Sequence, residues 1–197
     1  MRPSEKAQAA YLEALAALLA RIGAAIGELP KELRPVRMFI AGGAAMHCYT
    51  GARVSLDVDA VYSHRISLPQ DLAVAWRDAD GKARYLYLDT QYNDTLGPLH
   101  EDAHADAVRL KLPGVVTRNL EPRLLAPNDL AISKLGRFSP VDRSDIEALA
   151  REGLLKVRVF RVRAQSALGG FVGNTERLAG TIDIACRLIE ACQPRET

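Results

Sequence analysis

The chain has 197 residues, 48% of them hydrophobic and 25% charged, with a formal net charge of +2. That is enough apolar material for one buried core, or for a domain with a helical extension. The near balance of charge leaves no polybasic tail for duplex DNA or for an anionic membrane. Arginine outnumbers lysine by 20 to 6, which suits phosphate recognition but also fits a GC-rich genome. Cys48, Cys186 and Cys192 have no metal-ligand spacing and make no even disulfide set, which points to a reducing compartment, the cytoplasm. The Ala-rich N-terminus is interrupted by Glu5, Lys6, Glu13 and Arg21, so neither a signal peptide nor a membrane span is expected there.

Ser4 is a plausible N-cap, and residues 5–29 read as one amphipathic helix with Leu12, Leu15, Leu18, Leu19, Ile22 and Ile26 at helical spacing. Pro30 and Pro35 close it. A strand is expected over 37–41, a short helix over 44–49 and a second strand over 56–62. Pro69 is placed to open a helix through Ala79, and Asp80-Gly81 is a turn signal. Residues 83–89 read as an aromatic strand. The stretch 90–99 is irregular and polar. Further strands are expected over 108–112 and, more weakly, over 120–126. After Pro127 the pattern turns helical: 130–137 capped by Asn128 or Asp129, then 142–152, then a last helix from Asn174 to about Cys192. The run Val157-Arg158-Val159-Phe160-Arg161-Val162-Arg163 alternates like a strand, but its neighbours favour a helix, which is the reading adopted. Strands fill the first two thirds and helices the last third. The expected fold is α+β, a mixed sheet with flanking helices and a helical C-terminal part, divided into 1–127 and 128–197.

The most informative stretch is Phe39-Ile40-Ala41-Gly42-Gly43-Ala44-Ala45 followed by Arg53-Val54-Ser55-Leu56-Asp57-Val58-Asp59. An apolar strand ends in two glycines at a helix start, where bare N–H groups suit a phosphate. The second strand carries Asp57 and Asp59, which alternation puts on one face with Val58 on the other. Two close carboxylates repel unless a cation sits between them, and hard oxygens suit Mg²⁺. Each motif alone is weak: Gly-Gly marks any tight turn, and alternating acids occur on half-exposed strands. Asp89, at the tip of the aromatic strand, completes a set if that strand lies beside the second; otherwise it is a turn acid and Asp106 is the next candidate. Three such carboxylates can hold two Mg²⁺ ions about 3.5–4 Å apart for phosphoryl transfer. Lys134 and Arg137, spaced i,i+3, share a helix face that would suit a polyphosphate or simply face solvent. His100 and His104, at i,i+4, offer a rival zinc site without an obvious third ligand. His47 and His64 read as structural or surface residues.

Gly-Gly, a short helix, Asp-x-Asp on a strand and a later strand-borne Asp together resemble the nucleotidyltransferase fold of the DNA polymerase β superfamily. The run from Gly42 to His47, that from Gly51 to Asp59, and Asp129-Leu130-Ala131-Ile132-Ser133-Lys134-Leu135 followed by Asp142-Arg143-Ser144-Asp145-Ile146 look closest to the branch with AbiEii-type bacterial toxins. The resemblance spans about residues 36 to 150. It implies triphosphate binding by Gly42 and Gly43, with Arg53, Ser55, Lys134, Arg137 and Asp145 on the nucleotide side. It implies a metal and catalytic set of Asp57, Asp59 and Asp89, holding two Mg²⁺, or Mn²⁺. Many members have Ser after the first Gly; here Gly43 and Ala44 follow, leaving the phosphate to backbone N–H groups. The implied activity is transfer of an NMP from an NTP to a hydroxyl on tRNA, protein or a small molecule. By resemblance only, it could be that of a toxin with a cognate antitoxin. The alternatives are a non-catalytic binding module of the same fold and a metal-dependent hydrolase built on the His100/His104 pair.

Overall fold

A computed structural model describes residues 1–193; the last four residues of the segment 128–197 lie outside the described residues. In chain order the elements are α1 (Ala9–Ile26), β1 (Val36–Ile40), α2 (Gly42–Thr50), β2 (Asp57–Tyr62), β3 (Ala73–Arg77), β4 (Ala83–Asp89), β5 (Val108–Arg109), β6 (Leu120–Leu124), α3 (Pro127–Ile132), α4 (Pro140–Arg151), α5 (Val157–Ala167) and α6 (Thr175–Cys192). The fold is α+β: a six-stranded mixed sheet with flanking helices and a helical C-terminal part.

The sheet runs in the order β3-β4-β2-β1-β6-β5. β1 is antiparallel to β2 and parallel to β6, and β2 is parallel to β4. The chain divides into two compact units, residues 1–92 with 107–124, and residues 93–106 with everything from 125 onward. All six strands belong to the first unit.

In the first unit α1 packs against β3, β4 and β6. Its length and apolar composition would suffice to cross a membrane, but Tyr11, Leu15, Leu18, Leu19, Ile22 and Ile26 are buried in the core. It starts at Ala9, later than expected. Ser4 makes a local turn instead, its hydroxyl accepting the Lys6 N–H at 3.2 Å. The Gln8 N–H goes to His47 Nε2 at 2.9 Å.

The helix expected from Pro69 to Ala79 is a correction: the segment forms β3, antiparallel to β4. Val74 and Trp76 are buried on one face while Ala75 and Arg77 are exposed on the other, the period of a strand. The Trp76 ring meets Tyr11 edge-on at 5.5 Å. Asp78 organises the hairpin turn, its Oδ1 accepting from Asp80 N at 3.1 Å and Lys82 N at 2.9 Å. Proline at a helix start is a local signal; an aromatic that fits against α1 overrode it.

The second unit packs α5 and α4 on α6, and α3 on α5. The ambiguous run at 157–163 is helical, because Phe160, Ala164 and Ala167 are its buried residues, at i, i+4 and i+7. The helix expected over 130–137 is shorter: α3 ends at Ile132 and 133–137 are turns, so Lys134 and Arg137 do not share a helix face. Ser139 and Asp142 form a capping box at α4. Asp142 also receives Arg137 Nε and Nη2, both at 2.8 Å. Burial alone would raise its carboxyl, but the Arg137 and Ser139 hydrogen bonds outweigh it and hold the group at about 2. Asn174 caps α6 as expected, accepting the Arg177 N–H at 2.8 Å.

His47 is fully buried, and its two hydrogen bonds fix its tautomer. Nε2 accepts from Gln8, so Nδ1 carries the hydrogen and donates to Arg53 O at 2.8 Å. Burial lowers its pKa, opposed by the Arg53 carbonyl. The unfolded chain therefore takes up a proton near pH ~6.5 that the folded chain refuses. Stability is predicted to fall as pH drops below about 6.5, by at most ~1.4 kcal/mol per pH unit from this group. His47→Gln should be less stable at pH 7 by about 1–3 kcal/mol, with a flatter profile down to pH 5. Urea unfolding at pH 7, 6 and 5 checks this; equal slopes for both proteins would refute it.

Candidate metal centre

The parallel pairing of β2 with β4 sets Asp57 opposite Tyr87 and Asp59 opposite Asp89. Alternation turns Asp57 and Asp59 to one face, while Val58 is buried on the other. Asp57, Asp59 and Asp89 are half-buried, and one oxygen from each lies within 4.8 Å of the others. Among the described residues this is the one such group of His, Cys, Asp or Glu. Two of the carboxylates have hydrogen bonds that orient them. Ser55 Oγ donates to Asp57 Oδ1, and Asp89 Oδ1 accepts from Gln91 N at 2.8 Å. The Asp59 carbonyl accepts from Ala41 N at 2.9 Å, which fixes the strand beside the glycine turn.

The glycines are explained by what surrounds them. Gly42 has a φ of +53°, and a Cβ there would stand 1.7 Å from Asp59 Oδ2. A Cβ on Gly43 would meet Ser55 Oγ at 2.6 Å and Arg53 Nη1 at 2.8 Å. The turn, Arg53 and Ser55 are thus in direct apposition beside the acids. Ala44 brings no hydroxyl, but Ser55 supplies one next to Gly43 from a different position in the chain.

The donor set suits a hard divalent cation, because all three groups are carboxylates and one oxygen of each converges on the others. The negative charge reaches further: Tyr11, whose buried hydroxyl has no hydrogen-bond partner, has its pKa raised by burial, by Cys48 and by Asp57 and Asp59.

The remaining candidates lie in the second unit. Lys134 Nζ is 2.6 Å from Asp145 Oδ2, with side chains only 6% and 3% exposed. Arg137 is held by Asp142. Asp106 pairs with Arg163 at 2.7 Å, as does the buried Asp129. The His100/His104 pair is not on a helix; residues 101–105 are turns, and His104 Nε2 lies 2.7 Å from Asp94 Oδ2. No third ligand joins the two histidines among the described residues.

One element of the site went unread in the sequence. A cavity of about 620 Å³ has Asp89 in its wall, together with Tyr62, His64, Arg65, Gln70 and Tyr92. The available signal was the polar run Ser63-His64-Arg65 directly after the Asp-x-Asp strand, of which His64 alone was considered, as a structural or surface residue.

No curated protein and no solved structure matches the chain. A family model described as "Nucleotidyltransferase of unknown function (DUF6036)" matches residues 17–167, a span that takes in the glycine turn, all three acids and the helices α2 to α5. The chain belongs to this nucleotidyltransferase family.

Proposed function

We propose that the protein transfers a nucleoside monophosphate from an NTP to an acceptor hydroxyl, at a centre where Asp57, Asp59 and Asp89 hold Mg²⁺, with two ions expected and Mn²⁺ as a substitute. The observation that carries the reading is the convergence of three carboxylate oxygens within 4.8 Å, on the sheet face formed by β2 and β4 beside the glycine turn. In the reaction an acceptor oxygen bonds to the α-phosphorus, the bond to the bridging oxygen breaks, and pyrophosphate leaves. Divalent metal would supply the positive charge that offsets the phosphates and polarises the reacting oxygens.

The chain's own residues supply the rest. Gly42 and Gly43 let phosphate approach the backbone N–H groups at the start of α2. Arg53, beside Gly43, contributes a fixed cation, and Ser55 holds Asp57 in register through its hydroxyl. The Gln91 N–H occupies Asp89 Oδ1, which leaves Oδ2 for a cation or for the proton of the acceptor hydroxyl. Lys134, Arg137 and Asp145 are assigned to the nucleotide by family resemblance. Because Lys134 is paired with Asp145 and Arg137 with Asp142, any such role is played with the acid partner alongside. The AbiEii-type motifs, and those alone, support the narrower reading of a toxin with a cognate antitoxin.

Asp57→Ala and Asp59→Ala are each expected to abolish NMP transfer and weaken Mn²⁺ binding at least tenfold. The fold should be kept and thermal stability in EDTA unchanged or raised, since like charges are removed. Mn²⁺ titration followed by paramagnetic resonance, with transfer assayed from all four NTPs, makes the test; full Mn²⁺ affinity in either variant would sink the reading.

Lys134→Ala separates two roles. Removing the cation beside a buried carboxylate is expected to cost about 3–5 kcal/mol of stability. If Lys134 also serves phosphate, its loss should weaken binding of a non-hydrolysable NTP in calorimetry at a temperature where the variant is folded. Equal affinity there would make the pair structural only.

A further inference from the structure

β4 presents Tyr85, Tyr87 and Asp89 on one face, the first two 65% and 45% exposed, while Leu86 and Leu88 are buried on the other. Two large aromatics left open on a sheet call for an explanation that scattered surface residues do not. Their neighbours leave the rings uncovered: on β3 the residue opposite Tyr87 is Ala73 and that opposite Tyr85 is Ala75. On the other side, Asp57 lies opposite Tyr87. The exposed Arg77 stands at the far end of β3, where it pairs with Ala83. Along β4 the stripe therefore reads aromatic, aromatic, acid, and the acid is a member of the three-carboxylate centre.

We propose that Tyr85 and Tyr87 form a stacking platform for the bases of a single-stranded RNA end, which delivers its terminal ribose hydroxyl to the acids. The proposal rests on the nucleotidyltransferase reading and names its acceptor class. Same-face positions on a strand repeat about every 6.6 Å, so each tyrosine can take one base and the next position along the strand is Asp89. Every base has a π-face, so such a platform is tolerant of sequence. On the two strands that carry the stripe, the arginine of this face is Arg77, which also donates to Gly81 O at 2.8 Å; one cation beside the rings suits a single phosphate strand. A small acceptor would have no use for an open stripe that runs away from the cavity beside Asp89.

The test is fluorescence anisotropy of a labelled 12-nucleotide unstructured RNA with the full chain in Mg²⁺, without NTP. Wild type is expected to bind, and Tyr85→Ala and Tyr87→Ala to weaken binding about tenfold each. Tyr85→Phe and Tyr87→Phe keep the ring and should bind like wild type. Tyr85→Val and Tyr87→Val keep strand propensity but lose the ring, and should bind like the alanine variants. An abasic 12-mer should bind at least tenfold more weakly than the RNA. Unchanged RNA affinity in the alanine and valine variants, equal binding of the abasic oligomer, or no RNA binding by wild type would each overturn the proposal. Because no transfer is needed, these outcomes are read independently of the Mn²⁺ and NTP titrations; intact metal and NTP binding with no RNA binding would remove the acceptor class and leave the activity standing.

Discussion

Three carboxylates are held together on one face of the sheet, on the adjacent strands β2 and β4, against their mutual repulsion, and the backbone is what compels them. Two unit charges about 4 Å apart repel by roughly 1 kcal/mol in water and about 4 kcal/mol near a protein surface. Side chains alone would swing away. They cannot, because the parallel register of β2 and β4 fixes Asp59 opposite Asp89, and alternation fixes Asp57 beside them. That register is secured from the opposite face, where Val58, Leu86 and Leu88 are buried. A slip of one residue would turn these apolar groups to water and bury the acids. The hydrophobic layer thus maintains an arrangement whose electrostatics oppose it, and a divalent cation placed there would relieve that repulsion.

The glycine turn belongs to the same constraint. With a φ of +53° and Asp59 Oδ2 where its side chain would be, Gly42 can be nothing larger without moving the acid. The Ala41–Asp59 backbone bond ties the turn to β2 from the other side. The glycine turn and the three carboxylates are therefore joined directly within the first unit.

Much of this was legible in the sequence, because it is written in short-range periods. Asp57 and Asp59 share a face by strand alternation alone. Residues 83–89 announced a strand with an acid at its tip, and Asn174 marked the start of α6. What failed were features decided at long range. The segment after Pro69 carried a helix-start signal, yet Trp76 was needed against Tyr11 and β4 needed an edge partner. Lys134 and Arg137 looked like a shared cationic face, but α3 stops at Ile132 and the acids of α4 claim both cations. No local pattern encodes which acid a lysine meets. The cavity beside Asp89 was hidden for a related reason, since its wall combines β2, the loop after it and the end of β4.

The chain passes from one unit to the other at residues 92, 106 and 124, so the two cannot be parted by a single cut. A fragment ending near residue 127 would carry 93–106 without Arg163, the partner of Asp106. During synthesis the same order applies: the strands of the sheet are all complete by Leu124, while 93–106 waits for helices not yet made. At ordinary elongation rates that interval lasts roughly several seconds. For that time the excursion is a loop anchored at both ends by a finished sheet. Residues 93–106 thus find their partners, Arg163 among them, only in chain made after the last strand of the sheet.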